Sequence, residues 1–194
     1  MKKISYAAML FGCLYLASSC TSKQPEPQTD SVEQAEEINE AKNLNEKDAK
    51  FVTETADMGM KEVELSKVAV EKASNAEVKS LAQKMIDDHT MKNDELKGLA
   101  AQKQVTIPTE MSNDTKDALE SLNKKTGWDF DMEYIDKMVS DHKEAVDNFD
   151  KASKDSEDAD LKTWAANTLP ALRMHLEMAM KTQDNLKAMK KNKK

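Results

Sequence analysis

The chain has 194 residues, 39% of them hydrophobic and 34% charged, with a formal net charge of −7, which leaves room for one folded domain plus appendages. The acidic balance excludes a general nucleic-acid role, because neutralising phosphates needs a basic face. With only four Gly and four Pro, a mostly helical chain is expected rather than a disordered one.

Residues 1–19 read as an export signal. Lys2 and Lys3 give a positive start, and the apolar run from Ala7 to Ala17 is too short to span a bilayer. It ends in Leu16-Ala17-Ser18-Ser19-Cys20, which looks like a bacterial lipobox: small residues before a cysteine that is lipidated and becomes the new N-terminus. Ala17 stands three before Cys20 where such boxes usually carry Leu, so secretion with a free Cys20 is the other reading. Cys13 leaves with the signal, and a single remaining cysteine makes no internal disulfide. Ser22, rather than Asp, follows Thr21 and favours an outer-membrane lipoprotein facing the periplasm. Membrane attachment would then run through Cys20; the sequence names no protein partner and no oligomeric state.

Residues 20–47 follow as a polar tether, rich in Gln, Glu, Pro, Ser, Thr and Asn and stiffened by Pro25 and Pro27; transient helix is expected from about Asp30. The folded domain is placed at 48–188. Four long amphipathic patterns fill it, at 48–73, 76–104, 129–153 and 157–188, each with its apolar residues on one arc. Ser74-Asn75 and Lys154-Asp155-Ser156 are short polar turns, so the patterns form two antiparallel hairpins. Val105 to Trp128 joins the hairpins and holds a short helical pattern around Ala118, Leu119 and Leu122. It is long enough to cross the bundle end to end, which leaves both up-down-up-down and ferritin-like connection open. Pro170 is expected to kink the fourth helix near Ala166. Residues 189–194 read as a solvated basic tail.

Lys84-Met85-Ile86-Asp87-Asp88-His89 returns as Lys137-Met138-Val139-Ser140-Asp141-His142, which puts two of the three histidines at equivalent places on two helices. His175 and Glu62 fall near the middles of the other two. At 100° per residue, all four lie within about 50° of the centre of their apolar arcs, at similar depth. Facing helix axes lie about 8–10 Å apart, so the tips meet. Three imidazoles and a carboxylate suit one Zn²⁺, Fe²⁺ or Cu²⁺ ion. Asp88 and Asp141 point towards a neighbouring helix, where each can accept an imidazole proton and orient the ring. A Glu–His–Asp network that satisfies itself without metal is the plainer reading. Met58, Met85 and Met138 lie one turn before Glu62, His89 and His142, and Met178 three after His175; thioethers there would suit Cu(I), or simply fill the core.

At these residues the chain resembles a known family. The runs Phe51-Val52, Glu62-Val63-Glu64-Leu65, Lys72-Ala73-Ser74-Asn75 and Met85-Ile86-Asp87-Asp88-His89-Thr90 are similar to a bacterial exported domain of unknown function, number 4142. So are Phe130-Asp131, Tyr134, Met138-Val139-Ser140-Asp141-His142 and Thr168-Leu169-Pro170-Ala171-Leu172-Arg173-Met174-His175-Leu176. The resemblance covers about 48–181 and implies an exported, ferritin-like four-helix domain with no settled activity. Di-iron oxidase chemistry is disfavoured, since such sites use Glu-x-x-His and Ile86, Val139 and Leu172 stand three before the histidines. The expectation is an all-α, ferritin-like periplasmic lipoprotein, a non-enzymatic binding or envelope-stress accessory module. A mononuclear metal-binding protein is the second reading and a redox enzyme the third.

Overall fold

The computed structural model describes residues 29–42 and 45–191; the expected export signal, Cys20 and the expected tether up to residue 28 lie outside them. Six helices run in order: α1 Ser31–Ala41, α2 Glu46–Lys72, α3 Ala76–Lys103, α4 Asn113–Asn123, α5 Gly127–Asp155 and α6 Ala159–Lys191. The starts are written in the sequence. Asp30, Asn45, Asn75 and Ser112 each accept a hydrogen bond from a first-turn amide of α1 to α4, and Asp158 does so for Asp160 and Leu161 of α6. Such caps satisfy amides the helix itself leaves unpaired.

Contacts at the two ends settle the topology. At one end Lys103, closing α3, pairs with Asp158 and Asp160 before and within α6, while Asp48 of α2 accepts from Glu157 and Asp158. At the other end Lys72 bonds the Asn123 carbonyl and lies over Phe130, and Asn185 of α6 bonds Glu77 of α3. The segment 104–126 therefore travels the length of the bundle, held on the way where Asp57 accepts from the amide and hydroxyl of Ser112. The order is up-down-down-up, with α3 parallel to α5 and α2 parallel to α6. This is the ferritin-like crossover.

Leu65, Leu81, Met85, Phe130, Tyr134, Ile135 and Met138 pack the core nearest the α2–α3 turn. A second apolar region, with Phe51, Phe149, Leu169, Leu172 and Trp164, fills the opposite half. The polar centre lies between them. Pro170 sits inside α6, which continues through it.

Two segments differ from the sequence reading. Residues 31–41 are a packed helix rather than tether: Ala35 is buried against the bundle, and so is Asn39. Asn39 donates to the Thr106 carbonyl at 2.9 Å and accepts from the Thr106 amide at 2.7 Å, a polar seam that apolar periodicity does not register. The tail is helical to Lys191, and Lys190 Nζ sits 3.5 Å over the Trp128 ring, where the ring face attracts the ammonium.

Asp131 ties α5 to the α2–α3 turn. It is buried, and its two oxygens accept from the amides of Ser74 at 2.9 Å and Asn75 at 3.0 Å. Asp131→Ala strands both donors and is expected to cost about 1–3 kcal/mol. Urea unfolding with an unchanged slope reads this directly, and an unshifted midpoint would show that the turn holds itself.

Candidate metal centre

Glu62, His89, His142 and His175, one from each long helix, meet at mid-bundle. All four are buried. The three imidazole rings form a near-equilateral triangle, with centroids 5.4 Å, 5.3 Å and 5.4 Å apart. The triangle exists because the repeated hexapeptide lies at matching depth on α3 and α5, which start from the same end of the bundle.

Acceptors around each ring assign the hydrogens. His89 Nδ1 lies 2.9 Å from Glu62 Oε2. His142 Nδ1 lies 3.1 Å from Glu62 Oε1 and 3.0 Å from the Met138 carbonyl. A carboxylate and a carbonyl only accept, so both Nδ1 atoms carry hydrogen and each neutral ring keeps its lone pair on Nε2. For His175 the polarity reverses. Its Nε2 donates to Asp88 Oδ2 at 2.6 Å, and its buried Nδ1 has no partner.

Three ring nitrogens converge. One ring nitrogen of each histidine lies within 4.8 Å of the others, and His89 Nε2 and His142 Nε2 are 3.4 Å apart. Lone pairs at that distance repel unless positive charge lies between them, either a proton or a metal ion. A proton on His89 lets that pair satisfy itself, but His175 Nδ1 stays without a partner, and a self-satisfied network leaves no such acceptor.

The charges follow. Burial pushes the Glu62 carboxyl up, but His89 and His142 outweigh it and hold it down at about 2. Burial disfavours charge on His89, yet Glu62 overrides this and raises its pKa. Burial drives His175 down to about 4 against the pull of Asp88, and repulsion from His89 and His142 adds to the drop. Burial likewise works against the Asp88 carboxylate, and is outweighed by hydrogen bonds from Lys84 and His175.

The sequence-predicted residues Glu62, His89, His142 and His175 are brought together. Glu62, expected as a ligand, lies on the Nδ1 side of two rings. Asp88 accepts from His175. Asp141 touches no imidazole: its Oδ2 pairs with Lys61 Nζ at 2.8 Å, because its direction off the core arc leads to α2, where Lys61 waits. Lys84, which pairs with Asp88 at 2.8 Å, was legible as an i,i+4 pair. Of the methionines, Met85 and Met138 lie inside the apolar core with Met178 against it; only Met58 borders the polar centre.

Sequence reasoning missed a cavity of about 320 Å³ beside the centre. Glu62, His89 and His175 form its floor, and Phe149, Trp164 and Leu172 part of its wall. The Asn93 amide packs directly against Gly59, where a Cβ would fall 1.9 Å from Asn93 Oδ1.

Fold and site define an all-α crossover bundle with one buried polar centre on its axis. A profile of the family described as "Domain of unknown function (DUF4142)" matches residues 33–182, and the chain belongs to that family. No curated protein matches it. Among solved structures, CopM in the Cu(II)-bound form is similar, with a TM-score of 0.60 over 71% of this chain and 96% of that one, at 18% identity. At that identity the likeness concerns the fold. No helix of the described residues is long and apolar enough to cross a membrane.

Proposed function

We propose that this protein is a non-enzymatic metal-binding module that holds one transition-metal ion with His89, His142 and His175. Glu62 and Asp88 orient the rings, and the Lys61–Asp141 pair flanks the centre. The observation that carries the reading is the convergence of one ring nitrogen from each of three buried histidines, with His175 Nδ1 left without a partner. Bound there, the ion would supply the positive charge that the facing nitrogens require. Imidazole donors rank divalent copper above zinc and iron, and CopM, of similar fold, has been solved with Cu(II); both favour copper. The signal-like start, ending at Cys20, supports a lipoprotein on the periplasmic side of the outer membrane, where copper handling belongs.

Elemental analysis after exposure to Cu, Zn and Fe salts and desalting tests the site. About one ion per chain is expected, with copper retained in preference, and none in the H89A/H142A/H175A variant. Equal metal in both proteins, or none in either, sinks the assignment.

A further inference from the structure

The cavity beside the three histidines has a shape and charge that an ion alone does not explain. At about 320 Å³ it falls in the range of about 300–1,000 Å³ typical of small-molecule sites. Its wall is apolar and firmly held. Phe149 and Trp164 stand with ring centroids 5.3 Å apart and planes tilted by 46°, Phe51 packs edge-on against Phe149 at 5.0 Å, and the Trp164 indole N–H donates to Glu95 at 3.0 Å. Two of the three imidazoles, His89 and His175, line the floor while His142 is enclosed behind them. An ion held by all three is thereby reachable from the cavity side.

The charge at that floor does not close. Asp88 is matched by Lys84 at 2.8 Å and Asp141 by Lys61 at 2.8 Å. With neutral imidazoles, Glu62 is the one remaining charge beside the rings, so a divalent ion leaves a surplus of one positive charge in a buried place. A buried charge needs a partner, and the space beside this one is lined largely by apolar and aromatic side chains.

On the strength of the metal reading above, we propose that the cavity binds a small aromatic monoanion. Its charged head meets the ion between His89 and His175, and its ring lies among Met58, Phe149, Trp164 and Leu172. Head and body select together: the head by charge, the body by the area it buries against the two aromatic side chains. Asn93 and Asn167 at the rim are the polar groups a head would pass on entering.

Cobalt(II) reports on this through its visible ligand-field bands, with no activity required. The full chain loaded with Co(II) is titrated with benzoate and, separately, with acetate, which carries the same head and no ring. Benzoate is expected to change the bands at a concentration at least tenfold lower than acetate. Ala171→Phe, and Asn167→Trp from an exposed position as a second plug, are expected to erase that preference while the acetate response persists. Equal response to the two anions, no response to either, or plugs without effect would overturn the proposal while leaving the metal site in place. Failure of the chain to retain cobalt at all would overturn both.

Discussion

Glu62→Ala is expected to destabilise the metal-free protein by about 3–5 kcal/mol, the cost of removing one member of a buried charged pair. The carboxylate is nearly inaccessible; its Oε2 takes the Nδ1 hydrogen of His89 at 2.9 Å, while its Oε1 lies 3.1 Å from His142 Nδ1, whose hydrogen goes to the Met138 carbonyl. Without it, His89 loses its only acceptor on that side and the charge that raises its pKa. For a domain of this size the loss corresponds to a fall in melting temperature of roughly 10 °C. Glu62→Gln keeps the volume and one carbonyl acceptor, so it should fall between. Replacing all four polar residues by apolar ones of similar size should cost far less than removing Glu62 alone, since no orphan then remains. The same Glu62→Gln change is expected to weaken metal retention by about 10–100-fold, as changes to ring-orienting partners do. A melting temperature for Glu62→Ala within a degree or two of the parent would show that the imidazoles are satisfied without it.

Acidification should unfold the metal-free protein in two stages, starting unusually early. His175 titrates at about 4 in the fold against an ordinary value of 6.5. Below pH 6.5 the unfolded chain takes a proton that the folded chain refuses, so stability falls between pH 6.5 and 4, by about 3 kcal/mol. Glu62, held at about 2 against 4.5, adds a second loss between pH 4.5 and 2. His89 acts in the other direction. Its raised pKa contributes stability that is complete below pH 6.5 and fades as pH rises through the folded value. The summed profile therefore peaks near pH 6.5. Thermal melts across pH 3–9 measure it. His175→Gln, which keeps a donor for Asp88, should flatten only the 6.5-to-4 stage, and an ion on the three nitrogens should shift that stage to lower pH. A flat profile from 6.5 to 4 would place His175 in a far wetter setting than its burial implies.

The four long helices were legible because the polar turns Ser74-Asn75 and Lys154-Asp155-Ser156 and the apolar arcs mark them, and the helix ends lie within a few residues of those the pattern gives. The meeting of His89, His142, His175 and Glu62 was legible too, from depth and facing alone. What was not legible depends on distant partners. The side of each ring that faces Glu62 is decided by how α2 lies against α3 and α5, which one-helix projection does not contain. Asn39 is buried because the Thr106 backbone, far along the chain, meets it with both a donor and an acceptor. The crossover direction follows from end contacts such as Lys103–Asp158 and Lys72–Asn123, none of them local.

Pro170 falls in the part of α6 that walls the cavity. Lacking an amide hydrogen, it leaves the Ala166 carbonyl without its helical partner, and the residues around that missing rung, Asn167, Thr168, Ala171 and Leu172, border the cavity. The same helix then delivers His175. One side of the chamber is thus framed by the stretch of α6 whose backbone is least cross-braced, while α3 and α5, bearing the repeated hexapeptide, keep full ladders. The pair of imidazoles on the repeat helices is carried by unbroken backbone ladders, and the third by a helix with one rung missing beside the cavity.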